Sequence, residues 1–176
     1  REHLPLAISG FLGQHPQIAL ELQEGASSAV LSNLRQGLCD LGVVAWDMQD
    51  AAGLTGLHCQ PWRPDPLAAV LPLGHALAER QQLRLHELQH ENWVGLARDS
   101  ALQQLLQKQA QQINGQLLRT QVQLPHFEGL CQLVRQKVGI AVLPLAAVQR
   151  HCASTGVVAV PLGDDWAQRQ LLLCTT

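Results

Sequence analysis

Apolar and polar positions alternate with two different periods near the start of the chain. Ile18, Leu20 and Leu22 alternate with small or polar neighbours, which predicts a strand with one apolar face. A polar turn follows, and apolar positions then recur at helical spacing over residues 30–38. The continuous apolar run over residues 41–44 is typical of a buried parallel strand. These patterns together predict a βαβ unit, and open α/β sheets bind small ligands at the carboxyl ends of such strands.

The later part of the chain repeats this arrangement. Residues 120–143 again predict a strand, a polar turn, an amphipathic helix and an apolar strand. Between the two units, Arg63-Pro64-Asp65-Pro66 is predicted to be a stiff polar break that separates a strand over residues 57–62 from a strand over residues 67–71. Further predicted elements are a helix over residues 3–13, a short helix over 85–90, a strand over 93–96, a Gln-rich helix ending near 113 and late strands over 157–161 and 170–174.

The predicted fold class is α/β, with two Rossmann-like lobes joined by crossover strands and a ligand cleft between the lobes. We place the boundary between the lobes at the proline-flanked segment, because domain boundaries favour such segments. The predicted division is lobe I over residues 1–65, lobe II over residues 66–170 and a return strand toward lobe I over residues 171–176.

Composition narrows the classes of protein. Of the 176 residues, 47% are hydrophobic and 15% are charged, which is typical of a soluble globular protein. The net charge is −2 and the 12 Lys and Arg residues are scattered, so this chain alone is a poor candidate for binding nucleic acid. No apolar run reaches the length of a membrane span, and the first residues lack the pattern of a secretory signal.

The five cysteines are dispersed and include no CxxC pair. Cys39, Cys131 and Cys174 stand in apolar runs and are predicted to be buried small hydrophobic residues. A reducing, cytoplasmic setting is the simpler interpretation. A processed periplasmic chain would also lack its signal peptide, so a solute-binding protein of a transporter is the alternative function.

Four segments in order resemble the effector-binding domain of LysR-type transcriptional regulators. They are HPQIALELQEG, LRQGLCDLGV, LPLGHALAERQQLRLHEL and VRQKVGIAVLP, and together they extend over nearly the whole chain. Two positions depart from the family's pattern. Gly74-His75-Ala76 lacks the usual Pro after the His, and LPHFEGL stands where the family commonly has N-S-x-E-x-L.

The resemblance implies a type 2 periplasmic-binding-protein-like fold and a small-molecule inducer between the lobes. It implies no cofactor, no bound metal and no enzymatic activity. It also implies that lobe I lacks its first strand and closing helix here, and that a winged helix-turn-helix outside this chain contacts DNA. The family forms dimers or tetramers by pairing one helix of each lobe, and the candidates here are the helices over residues 4–12 and 127–138. The alternative is that the apolar faces of these helices are used by the lobe cores.

Candidate ligand-binding residues in lobe I lie at the predicted carboxyl ends of its strands. Ser27 and Ser28 occupy the turn before a helix, where hydroxyls and free backbone N–H groups hold anions. Plain helix capping is the alternative role for both serines. Trp46 ends the second strand. Its indole would form one side of a binding site for an apolar ligand, or else cover the core of the lobe.

Lobe II offers a second group at the corresponding turns. Arg98 provides a guanidinium for a carboxylate and Ser100 a hydroxyl, so a small anion is the predicted effector. A solvated loop is the alternative for Arg98. His126 would donate to the ligand, and Phe127 would stack on it or else pack into the core.

One segment matches a pattern of metal-dependent hydrolases. His86 to His90 reads HELQH, the H-E-x-x-H arrangement of zinc proteases. The surrounding sequence predicts only a short surface helix without a third ligand at a recognised spacing, so a zinc hydrolase is a remote alternative.

Overall fold

Seven strands and five α-helices form the part of the chain that the computed structural model describes, residues 4–46, 51–151 and 156–176. In chain order the elements are α1 (Leu4–Gln14), α2 (Ser27–Arg35), β1 (Gly42–Trp46), β2 (His58–Pro72), β3 (Trp93–Leu96), α3 (Ala101–Asn114), β4 (Thr120–Leu124), α4 (Phe127–Arg135), β5 (Ala141–Pro144), α5 (Leu145–His151), β6 (Val157–Pro161) and β7 (Gln168–Thr175). Short 3₁₀ turns lie at Ala51–Leu54, Leu85–Leu88 and Asp165–Ala167.

Strand β2 connects the two ends of the larger sheet. Residues 58–66 pair with β7, whereas residues 67–72 lie between β5 and β6. The predicted break at Arg63–Pro66 is therefore wrong, because β2 continues through it with only a register shift between Pro61 and Arg63. Prolines are accommodated because this half of β2 has a second edge without a partner among the described residues, so the missing N–H groups cost no ladder hydrogen bond there.

The larger sheet has the order β1-β7-β2-β5, with β6 also paired to β2, and every pair in it is antiparallel. The prediction of a parallel strand at residues 41–44 is therefore wrong. β1 pairs antiparallel with β7, and it buries Gly42 and Val44 while its other three residues are half-buried. Strands β3 and β4 form a separate parallel pair, joined to the segment before β5 by a bridge between Trp93 and Ile140.

The segment over residues 15–26 departs most from the prediction. It contains no strand, and Ile18, Leu20 and Leu22 are 39%, 46% and 66% exposed. Alternation predicts a strand only if another strand supplies its hydrogen bonds, and no described strand lies beside this segment. The first predicted unit therefore lacks its first strand, whereas all three elements of the second form, as β4, α4 and β5, with the two strands in different sheets.

Buried apolar side chains form two clusters. The larger cluster draws on residues 67–167 and contains the apolar face of α4, including Leu130 and Val134. The smaller cluster consists of buried residues from α2, β1 and β7, with partly buried neighbours around them. Helix α1 stays largely outside both clusters, since Leu6 is 84% and Phe11 41% exposed.

The described cysteines differ in their surroundings. Cys174 is buried and Cys39 half-buried, and both are free thiols. Cys131 is also fully buried, as predicted, but it is disulfide-bonded, so its description as a simple small hydrophobic residue was wrong. The predicted hydrophobic pattern around Cys131 located its burial and gave no sign of the bond.

Candidate functional site

Two turns emerge side by side from the parallel pair β3 and β4. Leu96 and Leu124, the last residues of these strands, are register partners. The turn after β3 and the turn after β4 therefore begin at the same sheet edge. Arg98 Nε donates a hydrogen bond of 3.3 Å to Gln123 Oε1, which ties the exposed arginine to the end of β4.

The beginnings of two helices lie at this edge. Ser100 is the N-cap of α3, yet its side chain makes no capping hydrogen bond, so the half-buried hydroxyl is not used for the capping role. His126 occupies the N-cap position of α4 and is exposed. The structure thus brings a guanidinium, a hydroxyl and an imidazole to one edge, next to backbone N–H groups that favour anions.

A buried glutamine fixes the position of α3 against this edge. Gln103 is only 4% exposed, and its Oε1 accepts a hydrogen bond of 3.1 Å from the backbone N–H of Leu96. The space is available because residue 95 is glycine, where a Cβ would stand 2.4 Å from Gln103 Oε1. Leu96 stands just before the turn that carries Arg98 and Ser100. The hydrogen bond from Leu96 to Gln103 therefore fixes the point at which this turn leaves β3.

Phe127 is the first residue of α4. Its ring is half-buried and packs against the larger hydrophobic cluster, as the alternative to a stacking role predicts. A contact between this ring and a ligand stays a prediction.

Ser27 at the start of α2 and Trp46 at the end of β1 lie close together. Ser27 is the first residue of α2 rather than its N-cap, which is Ala26, and the helix has no side-chain capping bond. The Ser27 hydroxyl instead accepts a hydrogen bond of 3.3 Å from the N–H of Ala45, the residue before Trp46. Capping therefore does not account for Ser27, and Ser28 is exposed on the same turn. Trp46 is half-buried against the smaller cluster.

Strands β2 and β7, which we call the crossover strands, add polar residues that the sequence did not single out. Gln170 of β7 is the register partner of both Trp46 and Pro64, so it lies between β1 and β2 at the level of Trp46. One residue away, Asp65 and Arg169 are register partners and form an ion pair between side chains that are 12% and 9% exposed. Beside this pair is a shallow pocket of about 210 Å³, lined by Pro64, Pro66, Gln168, Arg169 and Gln170.

Nothing in the local sequence could have identified the Asp65–Arg169 pair. The two residues are 104 positions apart, and only the pairing register of β2 with β7 brings them together. The available signal was two charges, Arg63 and Asp65, in β2 and one, Arg169, in β7, which is too common a pattern to indicate a contact.

The HELQH segment is engaged in local structure. Glu87 Oε2 accepts a hydrogen bond of 2.8 Å from the N–H of Arg84, and Glu87 Oε1 lies 3.1 Å from Arg80 Nη2. The 3₁₀ turn ends at Leu88, so His86 and His90 do not share a helical face. Within residues 4–46, 51–151 and 156–176, no cluster of three or more His, Cys, Asp or Glu side chains suits a metal ion.

Comparison with known proteins decides the family. The family model for the LysR substrate binding domain matches residues 1–176. The chain belongs to the LysR substrate binding domain family. A probable RuBisCO transcriptional regulator from Synechocystis sp. is 24% identical over 170 residues, which are 96% of this chain and 49% of that protein. The chain therefore spans about half the length of this curated relative.

Solved structures show the fold. The CcmR regulatory domain of Synechocystis PCC6803 in complex with 2-PG matches with a TM-score of 0.79 at 17% identity, covering 98% of this chain and 80% of that one. The BenM effector binding domain with its effector benzoate matches with a TM-score of 0.74 at 20% identity, covering 98% and 77%. The predicted α/β fold of the type 2 periplasmic-binding-protein kind is confirmed.

The LysR resemblance drawn from the four sequence segments is likewise confirmed. Among the described residues, no helix is both long and apolar enough to cross a membrane.

Proposed function

We propose that this domain binds a small anionic effector between its lobes and thereby controls the transcriptional activity of a longer LysR-type regulator. The observation that carries the proposal is the edge formed by the carboxyl ends of β3 and β4, where Arg98 is held by Gln123 beside Ser100 and His126. In lobe I, the matching contribution comes from Ser27, Ser28 and Trp46 at the end of β1.

The chemistry of the lobe II edge favours a carboxylate or a comparable anion. An arginine binds a carboxylate through two parallel hydrogen bonds, and the first turns of α3 and α4 add backbone donors. The two liganded relatives carry compatible molecules, since 2-PG and benzoate are named in their structures. Trp46 would cover an apolar part of the effector, and the pocket beside the Asp65–Arg169 pair would receive its far end.

The effector acts only if it binds two arrangements of the lobes with different affinity. Strands β2 and β7 carry the chain between the clusters, so a change of lobe orientation must pass through residues 63–66 and 168–170. We propose the division into lobe I over 1–65 and lobe II over 66–170 on this basis, with 171–176 returning to lobe I.

Dimers or tetramers would transmit the change to DNA-binding heads outside this chain, in the cytoplasm, without catalysis or a cofactor. Helix α1 supports self-association because Leu6 and Phe11 are exposed on it. The apolar face of α4 is buried in the larger cluster, so α4 would contribute its remaining surface.

The effector proposal is tested by a thermal-shift screen of small carboxylates and phosphates, followed by calorimetry on any ligand found. We expect Arg98→Gln to weaken binding roughly 10- to 100-fold, because a charge-assisted hydrogen bond contributes about 1.5–3 kcal/mol. The melting temperature of the free domain should change by no more than about 2 °C, since Arg98 is exposed.

Arg135→Gln is the matched control. Arg135 is also exposed and ends α4, about 12 Å along the helix from Phe127. Its replacement should leave affinity unchanged. If Arg98→Gln binds a confirmed ligand as tightly as the unmodified chain, the assignment of this edge is wrong. If no anion in the screen binds, the proposed class of effector is wrong.

A further inference from the structure

Two cysteines face each other on the crossover strands. Cys59 of β2 and Cys174 of β7 are direct register partners in the antiparallel pair. Their Sγ atoms are 2.6 Å apart, with Cys59 donating to Cys174. Both belong to the smaller cluster, where Cys174 is fully buried and Cys59 is half-buried. Cys174 is also the register partner of Gly42 in β1, so the pair lies at the level where β1 begins.

The backbone geometry of this pair suits a disulfide. Opposed residues of antiparallel strands have Cα atoms about 4.5 or 5.5 Å apart. Both values fall within the roughly 4.4–6.8 Å over which disulfides form without backbone movement. Since the two side chains already point to the same face and into contact, the bond requires only a small rotation of each side chain.

The two thiols differ in a way that assigns them separate roles. Burial raises the pKa of Cys174 to about 12, and the hydrogen bond and charge of Cys59 act in the same direction. Cys174 therefore keeps its proton at neutral pH. Cys59 is the thiol that solvent reaches, so it is the one that meets an external oxidant first.

We propose that Cys59 and Cys174 form a reversible redox site, which a low-molecular-weight disulfide oxidises to a disulfide between β2 and β7. The Cys59 thiolate attacks one sulfur of the external disulfide, forms a mixed disulfide and releases one thiolate. Cys174 then attacks the Cys59 sulfur, loses its proton and releases the second external thiol. The domain gives up two electrons and two protons, and one external disulfide becomes two thiols.

The disulfide would restrict the strands through which the lobes are connected. Cys59 and Cys174 are 115 positions apart, so the bond closes a long loop, for which removal of chain entropy from the unfolded state gives a large stabilisation. We expect oxidation to raise the melting temperature by roughly 10 °C. This inference is independent of the proposed effector and goes beyond it.

The experiment uses the whole chain in buffers that hold defined ratios of oxidised to reduced glutathione. After equilibration, free thiols are blocked and the linked peptides are mapped by mass spectrometry, so that the disulfide of Cys131 is counted separately. We expect a peptide containing Cys59 joined to one containing Cys174, formed as the ratio rises and lost when reductant is restored. The melting temperature is measured on the same samples.

Cys39→Ser is the matched control, because Cys39 is half-buried against the same cluster and has no register partner in β2 or β7. It should keep both the linked peptide and the rise in melting temperature, whereas Cys59→Ser should lose both. If a variant fails to fold, the peptide map and the melting temperatures of the unmodified chain alone test the proposal. Full blocking of Cys59 and Cys174 at every ratio, or a link from either to Cys39 instead, would overturn the proposal.

Discussion

The two hydrophobic clusters of this domain differ greatly in how many side chains they bury. Among the described residues, the larger cluster has 26 buried members and the smaller has five. The exposed large apolar side chains follow the opposite distribution. Of those that the structure describes, seven precede β1, namely Leu6, Phe11, Ile18, Leu20, Leu22, Leu38 and Leu41, and three follow it, namely Leu73, Ile113 and Leu117.

This difference indicates that the two parts of the domain have unequal local stability. Local opening requires less free energy where few apolar contacts are buried. The region of α1, residues 15–26 and α2 should therefore open more readily than the region built on β2, β5 and α4. The same region holds the exposed apolar surface on which the proposed self-association rests, so low local stability and an unfilled surface occur together.

The largest expected effect compares one buried leucine in each cluster. Leu130 and Leu34 are both fully buried. We expect Leu130→Ala to lower the free energy of unfolding by about 3–5 kcal/mol, because its cavity is enclosed on all sides. Leu34→Ala should cost about 2–3 kcal/mol, because the smaller cluster can collapse around it. Urea denaturation measures both values.

Hydrogen exchange then separates local from global effects. Leu34→Ala should speed exchange mainly in α2, β1 and β7, and Leu130→Ala throughout the domain. If both variants accelerate exchange equally in every element, the two clusters unfold as one unit and the contrast between them fails.

The next largest effect on the free energy of unfolding is expected at the Asp65–Arg169 ion pair, which lies along β2 and β7 between the two clusters. Asp65 and Arg169 are nearly buried, so Asp65→Asn removes a negative charge in contact with the arginine at a nearly buried position and should cost about 3 kcal/mol. The double variant Asp65→Leu with Arg169→Met should recover much of this loss, since apolar residues of similar volume replace buried ion pairs well. Denaturant unfolding of the three proteins measures the difference.

An exposed ion pair provides the control for that variant. Arg80 pairs with Glu87, but its side chain is 56% exposed. Arg80→Gln should therefore change the free energy of unfolding by less than about 1 kcal/mol. If Asp65→Asn and Arg80→Gln lowered the free energy of unfolding equally, burial of the Asp65–Arg169 pair would have no energetic consequence.

The sequence predicted the elements of the larger cluster well, because periodicity reports burial where burial exists. β3 and β4 were predicted with their observed bounds, and α4 and β5 within a few residues. The turn residues Arg98, Ser100 and His126 could be placed at one edge because parallel strands end together. The contact of Arg98 with Gln123 could not, because it depends on side-chain rotamers at two turns.

Predictions failed where structure depends on a distant partner. The alternation of Ile18, Leu20 and Leu22 carries no information about which strand would pair with it, and the described residues supply none. Asp65 and Arg169, like Cys59 and Cys174, meet only through the antiparallel pairing of β2 with β7. A sequence pattern shows the face of each strand but leaves its partner and register open.

The smallest expected effect tests whether α1 depends on packing or on intrinsic helix propensity. Gly10 lies inside α1, and a Cβ built there meets nothing within 4 Å. Gly10→Ala should therefore stabilise the helix by about 0.5–1 kcal/mol and slow amide exchange in α1 by roughly two- to fivefold.

Gly115→Ala is the control for the same substitution in the better-packed region. A Cβ there also meets nothing within 4 Å, but Gly115 ends α3 at a φ of 75°. Alanine is strained at this φ, so this variant should lose about 1 kcal/mol in urea unfolding. Because neither site offers a steric contact, the opposite signs would arise from backbone conformation alone. A loss of protection in α1 after Gly10→Ala would instead mean that a packing partner requires the glycine, and that α1 is less isolated from the smaller cluster than its exposed Leu6 and Phe11 indicate.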